Sequence, residues 1–327
     1  MVHHGWIPTR EGMSPADGDA LTGSAVRGRT ASMTEDPANP TEMRGPGAVT
    51  RHRVSDLEHW RIITLHQLAH YFRTNRFLGL LGFVALVSSL TLAYQLDAGI
   101  SAVRFQQLYR ASEYLSNYLV YTGLWVVLAA AFFGGDALSV DFSTGAGYYM
   151  LVLPIRRPVL LAGRYTAASV ATLAIVGTSY AFGIGGAVYF FGGPAVPWGA
   201  IAASFGIAAM FALAALGFAF CVSAFVRSPA AGVLVTVLAL YVGFTTLQSV
   251  FQLAGIEPWF SLSYAGGAMA AVLDTDFVHV QQIPIGQDQY YTIWVATVTE
   301  GLEIMAAYIA VFLPLSAYLY QRKESTG

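Results

Sequence analysis

Long apolar stretches alternate with short polar segments from residue 77 onward. Five stretches without a charged residue reach or exceed the roughly 20 residues that a helix needs to cross a bilayer. A sixth, from about residue 293 to 320, carries Glu300 and Glu303 near its start. The apolar positions do not alternate with polar ones, as they would in a membrane β-barrel. The sequence therefore predicts an all-α integral membrane fold of six transmembrane helices, at about residues 77–96, 114–135, 160–191, 198–226, 229–253 and 293–320.

The segment before the first span, residues 53–76, has helical periodicity. Its apolar side chains recur at helical spacing, at Leu57, Trp60, Leu65, Leu68 and Phe72. The charged side chains lie largely on other faces, and Ser55 with Glu58 forms a capping-box pattern at its start. The pattern predicts an amphipathic helix that lies on the inner membrane surface and leads into the first span.

Two histidines of this helix, His66 and His70, are four residues apart and share one face. This is the spacing of a two-histidine metal site. Because no acidic residue or cysteine stands nearby in the sequence, the pattern favours two polar residues on an interfacial helix, and no metal is predicted. Cys221 is the only cysteine, so an intrachain disulfide is excluded.

The two ends of the chain differ from the spans. Residues 1–52 are rich in Gly, Pro, Ser, Thr and charge and have no apolar periodicity. Such a segment cannot bury enough apolar surface to fold, so a disordered tail is predicted. Residues 322–327 are expected to form a short cytoplasmic tail.

Composition agrees with a membrane protein. Hydrophobic residues make up 55% of the chain, charged residues only 11%, and the mean hydropathy is +0.54. Soluble domains carry about 25% charged residues. The composition therefore excludes an ordinary soluble domain.

The distribution of basic residues predicts the orientation. If the N-terminus is cytoplasmic, eleven lysines and arginines flank the spans on the inner side, and only Arg104 and Arg110 lie in the outer loops. Basic residues concentrate on the cytoplasmic side of membrane proteins. We therefore expect a multi-pass protein of the cell membrane with both termini in the cytoplasm.

The position of the single lysine bears on whether this chain could hydrolyse ATP itself. A P-loop ATPase needs a Gly-Lys pair followed by Ser or Thr, because the lysine contacts the nucleotide phosphates. Lys323 is the only lysine and follows Arg322. The chain is therefore not expected to be an enzyme with its own ATPase site or cofactor.

The loop between the second and third predicted spans contains the sequence GAGYYMLVLPIRR, residues 145–157. Asp141 precedes Gly145 by four residues, Pro154 follows that glycine by nine, and Arg157 follows it by twelve. This arrangement resembles the first cytoplasmic loop of type-2 ABC transporter permeases, the ABC-2 family. Ala146 and Gly147 depart from the threonine and leucine that are usual in that family.

The resemblance implies a permease subunit of an ATP-driven ABC exporter. A separate ATPase subunit would bind ATP and magnesium, a second permease copy would complete the transporter, and membrane lipids would surround it, with no role for nucleic acid. The residues implied in coupling to the ATPase are Asp136, Asp141, Gly145, Pro154 and Arg157. Asp141 is expected to make a polar contact with that subunit.

The other polar candidates lie toward the outer side. Glu300 and Glu303 share one helix face and line a transport pathway or, if the sixth span starts later, lie at the outer interface. The preceding segment, 257–289, is expected to contain a short helix or helical hairpin at the membrane surface. Two other classes remain open: an integral membrane scaffold or assembly factor, and a secondary transporter, although no inverted repeat is evident.

Overall fold

The computed structural model describes residues 55–106, 108–143, 156–274, 277–286 and 289–325. These residues belong to one compact unit, Arg53–Gly327. The predicted disordered tail, residues 1–52, lies outside the described residues. Gly145 and Pro154 of the loop lie outside them as well.

Six helices among the described residues are long and apolar enough to cross a membrane, which confirms a helical multi-pass membrane protein. In chain order we call them spans one to six: Asn75–Ser101, Ala111–Asp141, Arg157–Phe191, Trp198–Phe225, Pro229–Leu253 and Val298–Arg322. A further helix precedes them. The individual helices are α1 (Asp56–Arg73), α2 (Asn75–Phe105), α3 (Ala111–Tyr118), α4 (Thr122–Gly134), α5 (Ser139–Ser143), α6 (Arg157–Phe191), α7 (Trp198–Phe225), α8 (Pro229–Val237), α9 (Phe244–Leu253), α10 (Leu262–Gly266), α11 (Ala268–Ala271) and α12 (Val298–Ser325).

Several spans are built from more than one helical piece. Span two joins α3 to α4 through a 3₁₀ turn, and span five joins α8 to α9 through the π-helical segment Leu238–Gly243. Helix α2 is interrupted at Gly99, which has a φ of 71° and a ψ of −179° that only glycine adopts easily. Helix α12, which forms span six, begins at Val298 instead of residue 293 and continues to Ser325, past the predicted end of the span.

Small residues let the spans pack closely around span four. Its buried face is rich in alanine, and a Cβ placed on Gly134 of span two would lie only 2.8 Å from the Cβ of Ala219. Small residues at helix interfaces favour association in membranes because they let the backbones approach closely and increase van der Waals packing. Span four therefore contacts spans two, three, five and six.

Helix α1 packs against span three along one face. Trp60 Nε1 donates a hydrogen bond to Thr166 Oγ1 at 3.4 Å, and Thr64 Oγ1 donates one to the Gly163 carbonyl at 3.3 Å. The close approach requires glycine, since a Cβ at Gly163 would lie 2.7 Å from Ile63 Cγ2. A second apolar strip of α1 stays exposed, at Ile62, Leu65 and Phe72. One face therefore faces protein while the other is suited to lipid, and Ser55 caps the helix as predicted.

The segment between spans five and six contains the expected short helices, α10 and α11, and also a β-hairpin that the sequence analysis missed. Its strands are β1 (Val280–Gly286) and β2 (Gln289–Trp294), antiparallel, with Val280 paired to Trp294. The prediction that a helix starts at residue 293 is wrong because Ile293 and Trp294 pair in this ladder. We call this end of the bundle the hairpin end, and the end that carries Asp136 and Asp141 the loop end.

Candidate functional site at the end of the second span

The last eight residues of span two, 134–141, make polar and close backbone contacts with several other helices, and we call them the junction segment. Helix α4 ends at Gly134 and α5 begins at Ser139. The backbone amides of Leu138 and Ser139 donate to Ser223 Oγ of span four at 3.0 and 3.1 Å. These bonds satisfy amides that have no partner in the turn between the two helices.

A buried ion pair joins the junction segment to span three. Arg164 Nη1 donates to Asp141 Oδ2 at 2.6 Å and Arg164 Nη2 donates to Asp141 Oδ1 at 2.9 Å, which is the paired geometry that guanidinium and carboxylate prefer. The two side chains are only 7% and 6% exposed. Arg164 Nη1 also donates to the Ala137 carbonyl at 2.9 Å. Tyr320 of span six donates its hydroxyl to Asp141 Oδ2 at 3.1 Å.

A second ion pair ties the junction segment to span one. Arg76 Nη1 donates to Asp136 Oδ2. Nearby, the Tyr71 hydroxyl of α1 donates to the Phe133 carbonyl at 3.1 Å. Burial raises the pKa of Tyr71 to about 12, so this hydroxyl keeps its proton at neutral pH.

Span five approaches the backbone of the junction segment very closely. A Cβ added to Gly232 would overlap the carbonyl oxygen of Gly135, and one added to Gly135 would lie 3.0 Å from the Gly232 carbonyl oxygen. Only a pair of glycines permits this approach. The junction segment therefore has direct contacts with each of the other five spans and lies next to α1.

A cavity of about 450 Å³ with a mixed polar and apolar lining lies between α1 and the junction segment. Its polar lining comes from both ion pairs and from α1, through His66, His70, Arg76, Asp136, Asp141 and Arg164. His66 and His70 are exposed. Among the described residues no third histidine, cysteine or carboxylate forms a metal-sized group with them.

The structure places two of the predicted coupling residues, Asp136 and Asp141, in the same segment. Asp136 and Asp141 both belong to the junction segment, whereas Arg157 begins the helix of span three. Arg164 and Tyr320 enclose the Asp141 carboxylate inside the bundle, so the described contacts of this residue lie within the chain, and its expected contact with another subunit stays a prediction. Sequence reasoning missed Tyr320, Ser223 and Gly232, whose contacts with the junction segment join distant parts of the chain.

The predicted pathway residues lie at the hairpin end. Glu300 is in the first turn of α12, where its carboxylate accepts from the Thr297 amide at 2.9 Å. Glu303 is exposed. Both border an open groove of about 500 Å³ whose walls are mostly apolar and aromatic, with Trp259, Phe260, Tyr308 and Phe312. Their position at the start of the span fits the interfacial interpretation.

The fold and composition define a multi-pass helical membrane protein. Comparison with models of known protein families gives no match, and comparison with curated protein sequences gives none either.

Proposed function

We propose that this chain is the membrane-spanning permease subunit of an ATP-driven ABC exporter. The observation that carries the proposal is the position of the junction segment. It includes the start of the loop, residues 136–158, that resembles the ATPase-coupling loop of ABC-2 permeases, and it has direct contacts with all five other spans. A displacement of this loop by a partner would therefore reach every span through packed, hydrogen-bonded contacts.

The location of the buried charged residues supports transport driven by a separate ATPase subunit. Among the described residues the buried charged side chains are Asp136, Asp141 and Arg164, all at the loop end. Secondary transporters usually bind substrate and coupling ions near the bilayer midplane. We therefore favour a cytoplasmic ATPase partner, which would hold ATP and magnesium, over an ion-coupled cycle.

In this proposal Asp141 positions the coupling loop. Its bonds to Arg164 and Tyr320 fix the start of the loop against spans three and six, while Arg157, at the other end of the loop, remains a candidate for contact with the ATPase. The protein would lie in the cell membrane with the loop end in the cytoplasm and would pair with a second copy of itself.

Crosslinking from the coupling loop tests whether an ATPase subunit binds there. In a Cys221→Ala background, single cysteines at Arg157 and at Asp274 would carry the same photo-crosslinker, with the full chain in its native membrane. We expect the Arg157 position to crosslink to a P-loop ATPase and the Asp274 position, at the hairpin end, to give no such product. Equal crosslinking from both positions, or none from the loop, would overturn the proposal.

The effect of this protein on ATP hydrolysis by its partner distinguishes a permease from a scaffold without a transport cycle. The crosslinked ATPase would be purified and assayed in liposomes with and without this protein. A permease that couples hydrolysis to its own conformational cycle should change the turnover of ATP by several-fold. Binding without any change in turnover would instead support the alternative, an integral membrane scaffold or assembly factor.

A further inference from the structure

Three potential metal ligands converge at the hairpin end from separate parts of the chain. Glu257 follows span five, His279 directly precedes β1, and Glu300 is in the first turn of α12. One ligand atom from each lies within 4.8 Å of the other two. All three side chains are partly buried, so each is held by its surroundings and still reachable from solvent.

In the part of the chain that the structure describes, the two carboxylates contact Tyr264 and His279 and pair with no lysine or arginine. The Tyr264 hydroxyl donates to Glu257 Oε1 at 2.6 Å and lies 3.3 Å from Glu300 Oε2. A hydroxyl has one proton, so it cannot serve both carboxylates fully. Among the described residues no arginine or lysine lies within 4.0 Å of either carboxylate, and the only basic group near Glu300 is His279 Nδ1, at 3.9 Å.

The orientation of His279 leaves one ring nitrogen available. Its Nδ1 lies 2.9 Å from the Val295 carbonyl oxygen. A carbonyl only accepts hydrogen bonds, so Nδ1 is the donor of this bond and Nε2 is the ring nitrogen that is left to bind a metal ion. Metal-binding histidines typically donate their other ring nitrogen to a carbonyl in this way. Trp294 packs edge-on against the ring at 5.5 Å and restrains it further.

We propose that Glu257, His279 and Glu300 bind one divalent transition-metal ion, of which Zn²⁺ is the best match. One imidazole with two carboxylates suits zinc, with water as a fourth ligand, whereas magnesium and calcium prefer oxygen ligands alone. Zinc bonds of about 2.0–2.2 Å place ligand atoms about 3.4 Å apart. The three ligand atoms lie within 4.8 Å of one another in the structure, so binding would draw them closer together.

The ion would fasten three elements together. It would tie the chain after span five and the base of the β-hairpin to the first turn of span six. Along α12 the site is about 30 Å from Tyr320 and the junction segment. It is therefore separate from the candidate coupling site, and the proposal does not depend on the transport function.

Zinc binding to the full-length protein in detergent tests this site. After treatment with a chelator, equilibrium dialysis with Zn²⁺ should give one tight site per chain. Glu257→Gln, His279→Gln and Glu300→Gln should each weaken binding at least about tenfold. The matched controls, the double variants His66→Gln/His70→Gln and His3→Gln/His4→Gln, should retain the tight site. Loss of the tight site in either control, or its persistence in the three variants, would overturn the proposal.

X-ray absorption spectroscopy of the wild-type protein with one equivalent of Zn²⁺ identifies the ligands of the bound ion. Because it uses the wild type alone, the result does not depend on whether a variant folds. The proposal requires a single imidazole and otherwise oxygen ligands. Two imidazoles or a sulfur ligand would overturn it. Zn²⁺ should also raise the Tm of the wild type, because an ion that binds only the folded state stabilises it.

Discussion

Asp141 and Arg164 satisfy each other so completely that the loss of either leaves a charge buried without a partner. The carboxylate has accepted two guanidinium bonds and a tyrosine hydroxyl in place of water. The net value of such a pair is small, since desolvation offsets most of the attraction, but the cost of breaking it is large. The pair therefore fixes geometry more than it adds stability.

Asp141→Ala should lower the free energy of unfolding by about 3–5 kcal/mol, because Arg164 would stay buried with an unpaired charge. Thermal unfolding in detergent would show this as a reduced Tm. The matched control is Asp274→Ala, whose side chain is exposed and whose removal should cost no more than about 0.5 kcal/mol. Equal Tm values for the two variants would contradict the buried ion pair.

The contact between Gly135 and Gly232 leads to a second prediction at this scale. Gly232→Ala would force a methyl group into the Gly135 carbonyl and should destabilise the protein by about 1–3 kcal/mol. Gly206→Ala, in span four, meets no atom within 4 Å and should be neutral or slightly stabilising, because alanine is the better helix former. The two would be compared by thermal unfolding, and a milder effect at Gly232 than at Gly206 would refute the close approach.

Helix α1 packs along span three and approaches it most closely at Gly163. Two hydrogen bonds and the packing of Ile63 lie at this approach, and Arg156, which precedes span three, donates to Asp56 Oδ2 at 3.0 Å. Its other apolar strip stays exposed. The helix is therefore the element whose attachment is easiest to test with a single substitution.

Gly163→Val should separate α1 from span three, because the added side chain would occupy the place of Ile63. Hydrogen exchange across Asp56–Arg73 should then become faster while the spans stay protected. Gly177→Val lies on the same helix with no atom within 4 Å of its added Cβ, and it should leave exchange in α1 unchanged. Unaltered exchange in Gly163→Val would show that α1 is held by other contacts.

The sequence predicts some of these elements well and others poorly. The spans follow from apolar length, and α1 follows from its periodicity and Ser55 cap, because both signals are local. The β-hairpin was missed because the apolar run from Ile293 onward continues from β2 into α12. The sequence predicts one continuous helix for span five, and no local sequence pattern predicts the π-helical segment at Leu238–Gly243.

The site could be predicted only in part for the same reason. The spacing around Asp136 and Asp141 pointed to the end of span two. Their partners Arg76, Arg164 and Tyr320 come from three other spans, and a pairing over 179 residues, as between Asp141 and Tyr320, depends on the packed fold. A local pattern therefore singled out Asp136 and Asp141 but gave no information on the side chains that pair with them.

At the scale of the whole molecule, the distribution of basic residues predicts opposite exposure for the two ends of the bundle. In a Cys221→Ala background, Arg156→Cys should react with an impermeant thiol reagent only from the cytoplasmic side. Asp274→Cys should react only from the outside. Both positions are exposed in the structure, so reactivity reports sidedness and not burial. Labelling of both from one side would be incompatible with six membrane crossings.

Span three contains 35 residues, a length of about 52 Å at 1.5 Å per residue. The hydrocarbon core is only about 30 Å thick, so even a tilted helix of this length extends beyond it. Arg164 lies two turns from the start of this helix, and its side chain is buried in the bundle, so lipid can reach the Asp141–Arg164 pair only through the helix that carries it. We therefore expect a change in lipid chain length to act on the junction through the tilt of span three, which makes hydrophobic mismatch a mechanical input to this site.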